Sequence, residues 1–382
     1  MDFELNESQT MIRDMVRDFA RNELAPKAKD RDLTGAFPVE EIKAMAGLGL
    51  LGMSIPEEYG GSNVGPVAYS LSVTEIAKAD ASVAVIMSVT NMVNEILLKF
   101  GNEEQKKRWI PFIVEKGNDT GAFALTEPGS GSDAGSMKTT ASRDGDYWIL
   151  DGVKQFISHA DHSGVLITWA RSELDSKGPK GVSTFLVPQN APGLILGKKE
   201  DKMGQRGSST LEVVFDGCRI PRENLMYEEG RGFAVAMAAL NGGRIGIASL
   251  ALGVGLAALE AARDYALERK QFGHPIGDFQ AIQWKLADMA TELDAARLLV
   301  LRAAWLKENG YPYTKEASMA KVFASETANR VCAEAIQIHG GYGYCRDYPV
   351  ERYARDARVT TIYEGSSEVQ RIVIAREILG RA

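Results

Sequence analysis

The 382-residue chain contains few of the residues on which disulfide frameworks and metal sites depend. It has four histidines and three cysteines, and Cys218, Cys332 and Cys345 form neither a CxxC pair nor a Cys/His metal spacing. An odd number of scattered thiols favours a reduced compartment. We therefore expect a cytoplasmic protein with buried free thiols and no metal site.

Two further absences exclude classes of partner. Lysine and arginine number 44 against 51 aspartates and glutamates, a formal net charge of −7, so the basic surplus of nucleic-acid-binding proteins is missing. No uninterrupted apolar run reaches the roughly 18–20 residues of a membrane helix, and residues 1–4 do not resemble the start of a signal peptide. We expect neither nucleic-acid binding nor membrane insertion. With 45% hydrophobic and 25% charged residues, the composition is that of a globular protein.

The spacing of apolar residues divides the chain into three parts. Residues 1–118 have helical spacing, with Asn6 and Gln9 placed as a helix cap and Pro26 as the end of the first helical run. Residues 119–228 change to short runs of period two, separated by Gly, Pro, Asp and Asn clusters. This second pattern predicts an antiparallel β barrel or sandwich.

Helical spacing returns over residues 229–382. Its clearest stretch runs from Phe279 towards Asn309, where apolar residues alternate in steps of four and three before stop signals at Gly310 and Pro312. This seven-residue rhythm is typical of helices packed nearly antiparallel. We therefore predict an α+β multidomain protein: an N-terminal helical domain, a middle β domain and a C-terminal four-helix bundle.

Three segments carry candidate ligand contacts, and each has a plainer alternative. The stretch LTEPGSGSD (125–133) combines hydroxyl donors with glycines that let a ligand approach the backbone, although an ordinary Gly/Ser turn is favoured by composition alone. Arg269 and Phe272 lie on one helical face and suit a phosphate and an aromatic ring, or they simply end a helix. His339, in a glycine-rich stretch, is more simply a structural histidine.

Glu364 is the candidate general base. It lies in IYEGSSE (362–368), beside apolar and aromatic residues that would desolvate the carboxylate and raise its pKa. The alternative is a solvated glutamate before a helix. Ser366 and Glu368 would then be the cap and first-turn acid of the last helix.

Taken in order, these motifs resemble the acyl-CoA dehydrogenase family over essentially the whole chain. The segments that carry the resemblance are PEEYGG (56–61), FALTEPGSGSD (123–133), KQFIS (154–158), ERKQFG (268–273), QIHGGYGY (337–344) and IYEGSSEVQR (362–371). The resemblance implies the three-domain architecture, a homotetramer with FAD in each subunit, and Glu364 as the catalytic base.

The resemblance also implies the ligand contacts, some of them across a subunit boundary. It assigns to FAD the residues Phe123, Leu125, Thr126, Gly131, Ser132, Phe156, Ile157, Ser158, Arg269, Phe272, Phe279, Gln280, Gln337, Gly340, Gly341, Ser366 and Glu368. It assigns to the acyl-CoA substrate Ser132, Asn91, Asn241, Tyr363, Gly365 and Arg244, the last at the adenine end of CoA. Some branches carry the base at the position of Gly243, which cannot act as one here, and this favours Glu364.

The activity that the resemblance implies is α,β-dehydrogenation of an acyl-CoA thioester. Glu364 would remove the α-proton while hydride leaves Cβ for flavin N5, and the electrons would pass to an electron-transfer flavoprotein. Polar Asn91, Asn94 and Glu95 in the expected pocket favour a short, branched, cyclic or functionalised acyl group. Three alternatives remain: an enoyl-CoA reductase running in reverse, a non-catalytic acyl-CoA-binding protein on the same fold, and an oxidase that uses dioxygen.

Overall fold

The computed structural model describes residues 4–116 and 120–380. Its first part is helical, as the apolar spacing predicts. The helices there are α1 (Glu7–Phe19), α2 (Ala28–Thr34), α3 (Val39–Gly47), α4 (Gly65–Ala79), α5 (Ala81–Phe100) and α6 (Glu103–Lys116). Helix α1 begins with the expected reciprocal cap: the Gln9 amide donates to Asn6 Oδ1 (2.8 Å) and the Asn6 amide donates to Gln9 Oε1 (3.1 Å).

The prediction that Pro26 ends the first helical run is wrong. Helix α1 leads into a π-helical turn (Ala20–Leu24) and a 3-10 turn (Ala25–Lys27), and α2 follows directly. Proline lacks an amide hydrogen, which costs nothing in the first turn of a helix, where that amide has no partner. Pro26 occupies such a position, so the chain stays helical until Gly35, whose φ of +68° ends α2.

The middle part is a mostly antiparallel β-sheet, as the period-two runs predict. Its strands are β1 (Thr120–Ala124), β2 (Thr140–Asp144), β3 (Tyr147–Ser158), β4 (Ser163–Arg171), β5 (Val182–Pro188), β6 (Leu194–Lys199), β7 (Thr210–Pro221) and β8 (Leu225–Met226). The strand order is β6-β7-β3-β2-β4-β5-β8, and β1 pairs in parallel with β4. Strand β3 joins two predicted runs, because a bulge at Gly152 (φ +148°) carries the chain on without a turn.

Long helices return after the sheet. They are α7 (Gly232–Glu268), α8 (Gln280–Glu308), α9 (Thr314–His339), α10 (Val350–Arg358) and α11 (Ser367–Leu379), with a small hairpin of β9 (Lys270–Gln271) and β10 (His274–Pro275) between α7 and α8. Helix α8 ends two residues before Gly310, close to the predicted stop. Its heptad positions Met289, Leu293, Ala296, Val300 and Ala303 are buried where α7, α8 and α9 pack together.

One of the two predicted domain boundaries lies within the described residues. The one at residues 228–229 lies between β8 and α7. The one at residues 118–119 lies outside the described residues. The boundaries therefore stay predictions, while the order of a helical part, a sheet and a second helical part is what the structure has.

Helices α5 and α7 run through the interior. Of the described residues, they form the two helices that are long and apolar enough to cross a membrane by length and composition. Yet 89% and 78% of their most apolar windows are buried inside the protein. Burial against other helices therefore accounts for their apolar character.

The turn at 56–61 is packed so closely that Gly61 has no room for a side chain. A Cβ at this position would lie 2.0 Å from the Ile55 carbonyl oxygen. The neighbouring main chain is itself held, since the Gly61 amide donates to the Pro56 carbonyl (3.2 Å) and the Asn63 amide donates to the Ile55 carbonyl (3.1 Å). This main chain therefore cannot move aside to relieve the clash, whereas the end of a flexible side chain could.

We expect Gly61→Ala to lower the free energy of unfolding by at least about 2 kcal/mol, because the added methyl group must displace main chain. Denaturation in urea measures the loss. Gly47→Ala is the matched control: a Cβ there meets nothing within 4 Å, and alanine in the last turn of α3 is neutral or slightly stabilising. Equal stability of the two variants would contradict the packing described.

Candidate active site

Glu364 lies in a turn whose backbone is unfavourable for a residue with a side chain. Glu364 and Gly365 are consecutive left-handed residues, with φ values of +54° and +86°. The left-handed region costs a non-glycine residue about 1 kcal/mol or more, so the surrounding structure must hold this turn in place. The next residue, Ser366, accepts from the Val369 amide and caps α11, as its plainer interpretation predicts.

The Glu364 carboxyl points into the protein. The residue keeps some exposure, but Oε2 is fully buried and has no hydrogen-bond partner among the described residues. Gly243 on α7 leaves the space for it, since a Cβ at position 243 would lie 2.7 Å from Oε2 and 2.8 Å from Met92 Sδ. A solvated glutamate is therefore excluded. A buried carboxyl oxygen without a partner is costly and is placed to receive a reacting group.

The electrostatics of this carboxyl suit a general base. Burial raises the pKa of Glu364 to about 7, and the positive charges of Lys321 and Arg244 oppose the rise. A base whose pKa lies near neutral pH is ionised often enough to accept a proton and then holds that proton well. The side chain can therefore carry a proton in either direction near neutral pH.

Arg244 interacts electrostatically with this carboxyl. The side chain is buried, at 5% exposure. Its Nη1 donates to Asn241 Oδ1 (2.7 Å) and Ser318 Oγ (3.3 Å), and Asn241 Nδ2 donates to Thr314 Oγ1 (3.1 Å). The burial of the guanidinium does not by itself favour the predicted contact with the adenine end of CoA, which stays a prediction. Asn241, whose amide is held within the bundle, also stays a predicted substrate contact.

Asn91 is placed differently from the prediction. Its Oδ1 accepts from the Met53 amide (2.9 Å), and its Nδ2 donates to the carbonyls of Leu50 and Met87 (both 2.9 Å). Asn94 likewise donates to the Leu51 carbonyl (2.9 Å). These two side-chain amides, which lie on α5, attach the main chain of residues 50–53 to that helix. The Asn91 amide is therefore not free for a substrate, and the argument from its polarity to a short acyl group does not hold.

A cleft of about 330 Å³ opens next to Met92. Apolar Met92 and Ala239 form part of its wall, and Glu95 and Lys307 form an ion pair across it (2.7 Å). Because Met92 Sδ also approaches Gly243, this one side chain borders both the cleft and the region of the Glu364 carboxyl. The third polar residue predicted for the pocket, Glu95, is therefore charge-paired at its wall.

The loop between β6 and β7 reaches the Glu364 turn through Gln205. Gln205 Nε2 donates to the Tyr363 hydroxyl (3.2 Å) and to the Asp356 carbonyl (3.1 Å), and the Gln205 amide donates to Asp356 Oδ1 (2.5 Å). Burial raises the pKa of Asp356 to about 7. Since the Tyr363 hydroxyl is tied to Gln205, only the ring and main chain of this predicted substrate contact are available to a ligand.

A buried ion pair orders the Gly/Ser segment after β1. Lys154 Nζ donates to Glu127 Oε1 (2.8 Å) and to the Leu125 carbonyl (3.1 Å). The Lys138 and Thr139 amides also donate to Glu127. Both ionic residues lie within the recognised motifs, but their pairing was not predicted, because the partners are 27 residues apart on different elements.

The outer face of this segment is open to a ligand. Gly131 and Ser132 are exposed, and a Cβ at Gly131 meets nothing within 4 Å. On β3, Phe156 is 61% exposed at a φ of +59°, whereas Ile157 is buried. The remaining predicted contacts here are half-buried Phe123, Thr126 and Ser158 and buried Leu125. A strained backbone that exposes an aromatic ring is a feature of ligand sites.

A groove of about 420 Å³ lies where the end of α7 meets the turn after α9. Arg269, Gly340 and Gly341 line it, and an added Cβ at either glycine meets nothing within 4 Å. His339 forms part of the wall, but its Nδ1 bonds to the Ala335 carbonyl (2.8 Å) and its ring stacks on Tyr265 (4.2 Å). His339 is therefore structural. What the groove offers to a ligand is the cation of Arg269 and the uncovered main chain of the two glycines.

The other predicted contacts in the second helical part face outwards. Phe272 is 91% exposed and packs edge-on against half-buried Phe279, with ring centroids 6.1 Å apart. Gln280, Gln337 and Glu368 are also exposed. The chain by itself therefore does not enclose these residues, as expected if they contact a ligand of another subunit.

Sequence reasoning missed Lys321 and Gln370, which hold the Glu364 turn. Lys321 Nζ donates to the Gly365 carbonyl (2.7 Å). Gln370 Nε2 donates to the carbonyls of Glu364 (3.0 Å) and Gly365 (2.8 Å). One signal was visible in the sequence: Lys321 lies on the alanine-rich apolar face of α9, where a lysine is unusual.

The structure combines a buried carboxyl oxygen and a raised carboxyl pKa with a helical bundle that follows a β-sheet part, an arrangement suited to an enzyme that transfers protons. Models of the N-terminal, middle and C-terminal domains of acyl-CoA dehydrogenase match residues 6–116, 122–218 and 230–379. The chain belongs to the acyl-CoA dehydrogenase family, whose enzymes are flavin-dependent oxidoreductases.

Individual relatives match over nearly the whole chain. The mitochondrial short-chain specific acyl-CoA dehydrogenase of Mus musculus is 51% identical over 378 residues, which cover 98% of this chain and 91% of the relative. The acryloyl-CoA reductase (NADH) of Anaerotignum propionicum is 47% identical, covering 100% and 97%. The solved structure of butyryl-CoA dehydrogenase from Megasphaera elsdenii has a TM-score of 0.97 at 43% identity and covers 99% of this chain and 100% of that one. The family and fold predicted from the motifs are confirmed.

We expect Glu364→Gln to stabilise the protein at about pH 8 by roughly 1–3 kcal/mol and to have little effect below about pH 4.5. The carboxyl has a pKa of about 7 when folded and an ordinary value of 4.5. Its protonated form therefore contributes stability at low pH that is lost as the pH rises through 7, and neutral glutamine avoids that loss. Thermal unfolding across this pH range measures the difference.

The matched control for this stability measurement is Glu104→Gln, which removes an exposed carboxyl on α6. It should leave the pH dependence of unfolding unchanged. A Glu364→Gln effect that is equally large at both ends of the pH range would show that the carboxyl is not the titrating group.

Proposed function

We propose that this protein is an FAD-dependent acyl-CoA dehydrogenase that oxidises a short, branched, cyclic or functionalised acyl-CoA thioester to the 2,3-enoyl-CoA. The observation that carries this proposal is the buried Glu364 carboxyl, with Oε2 unpartnered against Gly243. Such a group can take a proton from carbon only in a site that excludes water and orients the substrate. Catalysis of an α-proton transfer explains why the fold maintains so costly a group.

The reaction divides between the protein and a bound cofactor. Glu364 takes the α-proton on its carboxyl, the electron pair of that C–H bond forms the new double bond, and hydride leaves Cβ. When bound, FAD supplies the hydride acceptor. Protonated Glu364 is then neutral, which is the form that burial favours. The protein's own work is to orient the thioester, exclude water and hold the proton.

The residues present fit FAD in two places. The open backbone at Gly131, the hydroxyl of Ser132 and the exposed ring of Phe156 suit a flavin beside β1 and β3. Arg269 and the open glycine pair Gly340–Gly341 suit a diphosphate, which needs a cation and free amides. We propose that the first set holds the FAD of its own subunit and the second the FAD of a neighbour in a homotetramer, with Ser366 and Glu368 completing the contacts.

A short acyl chain is favoured by what borders the carboxyl. Beyond Met92 the walls of the cleft carry the Glu95–Lys307 ion pair. A long alkyl chain would have to displace Met92 and end against these charges, which is unfavourable. The names of the mouse and Megasphaera relatives, short-chain specific and butyryl-CoA, support the same choice.

The physiological direction and the electron partner are part of the proposal. We propose oxidation, with electrons passed to an electron-transfer flavoprotein, in the cytoplasm. The relative named acryloyl-CoA reductase (NADH) favours a second candidate, reduction of an enoyl-CoA. Two turnover assays distinguish these candidates: acyl-CoA with oxidised electron-transfer flavoprotein, and enoyl-CoA with reduced electron-transfer flavoprotein. A dehydrogenase turns over faster in the first assay and a reductase in the second.

We expect anaerobic mixing with butyryl-CoA to bleach the flavin absorbance, and Glu364→Gln to slow this bleaching by about 10³-fold or more while FAD stays bound. Isobutyryl-, glutaryl-, cyclohexanecarboxyl- and octanoyl-CoA test the acyl group in the same assay. The proposal fails if the purified protein carries no flavin, or if it is yellow and none of these thioesters bleaches it. Oxygen uptake during turnover would identify an oxidase.

We expect Gly243→Ala to lower kcat by at least about 10-fold. The new Cβ would lie 2.7 Å from Glu364 Oε2, so the carboxyl must move from its position. Gly242→Ala, one residue away on α7, is the matched control, because its Cβ meets only the flexible ends of Glu95 and Lys307, at 3.2 and 3.4 Å. Steady-state kinetics with the best thioester measure both. Equal kcat values would show that Gly243 does not set the position of the base.

A further inference from the structure

Lys321 is a buried cation that the mechanism above does not yet use. It lies on α9, fully buried, on a helix face that also carries buried Ala317, Ala324 and Ala328. Removing an ammonium group from water is costly unless a counter-charge or several acceptors replace the water. No described carboxylate lies within ion-pair distance of Lys321, and the hydrogen bond found for its Nζ is to the Gly365 carbonyl. The fold therefore maintains an expensive group at this point.

The hydrogen bond of Lys321 acts on the turn that carries Glu364. Its acceptor, Gly365 O, is also held by Gln370 Nε2, which donates in addition to Glu364 O. Two buried side chains from α9 and α11 thus hold the two carbonyls of the left-handed turn. The strain of that turn must be balanced by such contacts. Without them, the Glu364 carboxyl would not be directed steadily towards Gly243.

The charge of Lys321 acts on the same carboxyl. Glu364 is the first of the anions that attract it, followed by Glu368 and Glu326, while Arg244 on α7 repels it. The other groups that interact electrostatically with Glu364 are the hydroxyls of Tyr69 on α4 and Tyr363, whose pKa values burial raises so that both stay neutral. Lys321 and Arg244 are thus the two cations that favour the ionised base.

We propose that Lys321 is a positioning residue for the reaction at Glu364. Its ammonium group holds the Gly365 carbonyl, and with it the left-handed turn, and its charge favours the ionised form of the neighbouring carboxyl, which accepts the α-proton. Gln370 shares the first task and not the second, because it is neutral. This inference rests on the proposed dehydrogenase function and adds a residue that contacts neither substrate nor cofactor.

The test compares three variants by kcat, KM and the pH profile of kcat, alongside FAD content and thermal unfolding. Lys321→Met removes the donor and the charge, so kcat should fall by about 10- to 100-fold and the acidic limb should move to higher pH by about 0.5–1 unit. Lys321→Gln removes the charge and keeps a donor, so the limb should move with a smaller loss of kcat. Gln370→Leu removes the neutral donor, so kcat should fall with the limb unmoved. KM should change little in all three.

Lys78→Met is the matched control, since Lys78 on α4 is a partly buried lysine paired with Glu260 on α7 (2.6 Å). It should leave kcat and the pH limb as in the unaltered enzyme. Infrared difference spectra against Glu364→Gln give a reading that does not need turnover. The protonated carboxyl band should persist to higher pH in Lys321→Met and Lys321→Gln.

The outcomes separate this inference from the proposed function. If the unaltered protein oxidises no thioester, the proposed function fails. If it is active and both Lys321 variants keep its kcat and pH limb, the inference is overturned, even if their melting temperatures fall. Should Lys321→Met not fold, Lys321→Gln decides by the same two readings.

Discussion

The structure depends on keeping one oxygen of a carboxyl group out of water without giving it a partner. Glu364 Oε2 is buried and unpartnered, and burial raises the pKa of its carboxyl to about 7. The arrangement requires a left-handed residue with a side chain, a glycine opposite it at position 243, and cations near enough to limit the cost. The left-handed residue, the glycine within a helix and the buried cations each lower the stability of the fold. Their combination around one carboxyl is typical of a reacting centre.

Elements from all three parts of the chain meet this requirement. Helix α7 contributes Gly243 and Arg244, and α5 contributes Met92. Helices α9 and α11 hold the turn through Lys321 and Gln370. The middle part takes part through Gln205, in the loop between β6 and β7, which bonds to the residue before Glu364. The apolar α5 and α7 thus do more than fill the interior: they form the walls on which the carboxyl packs.

Local patterns in the sequence predicted most of the helices and strands, but they did not predict which side chains contact one another. The heptad positions of α8 and the cap at Asn6 depend on neighbours a few residues away, so periodicity predicted them correctly. The role of Glu364 needed the combined motifs, because its own surroundings fit a solvated residue equally well.

The hydrogen bonds of Arg244 to Ser318 and of Asn91 to residues 50–53 were not predicted, because these partners come from distant parts of the chain. Lys321 was missed for the same reason, since its acceptor lies 44 residues further on. Spacing along one helix says which face is buried, but it does not say which carbonyl a buried lysine will reach. What three-dimensional packing adds here is the identity of each partner.

The most direct test of the central claim is a crystal structure with FAD and a non-oxidisable analogue of the preferred acyl-CoA. The account predicts that Glu364 Oε2 lies about 3–3.5 Å from the α-carbon, on the face of the thioester opposite the flavin, with Gly243 behind the carboxyl. An α-carbon that sits against another side chain, or a Glu364 side chain turned towards solvent in the complex, would contradict it.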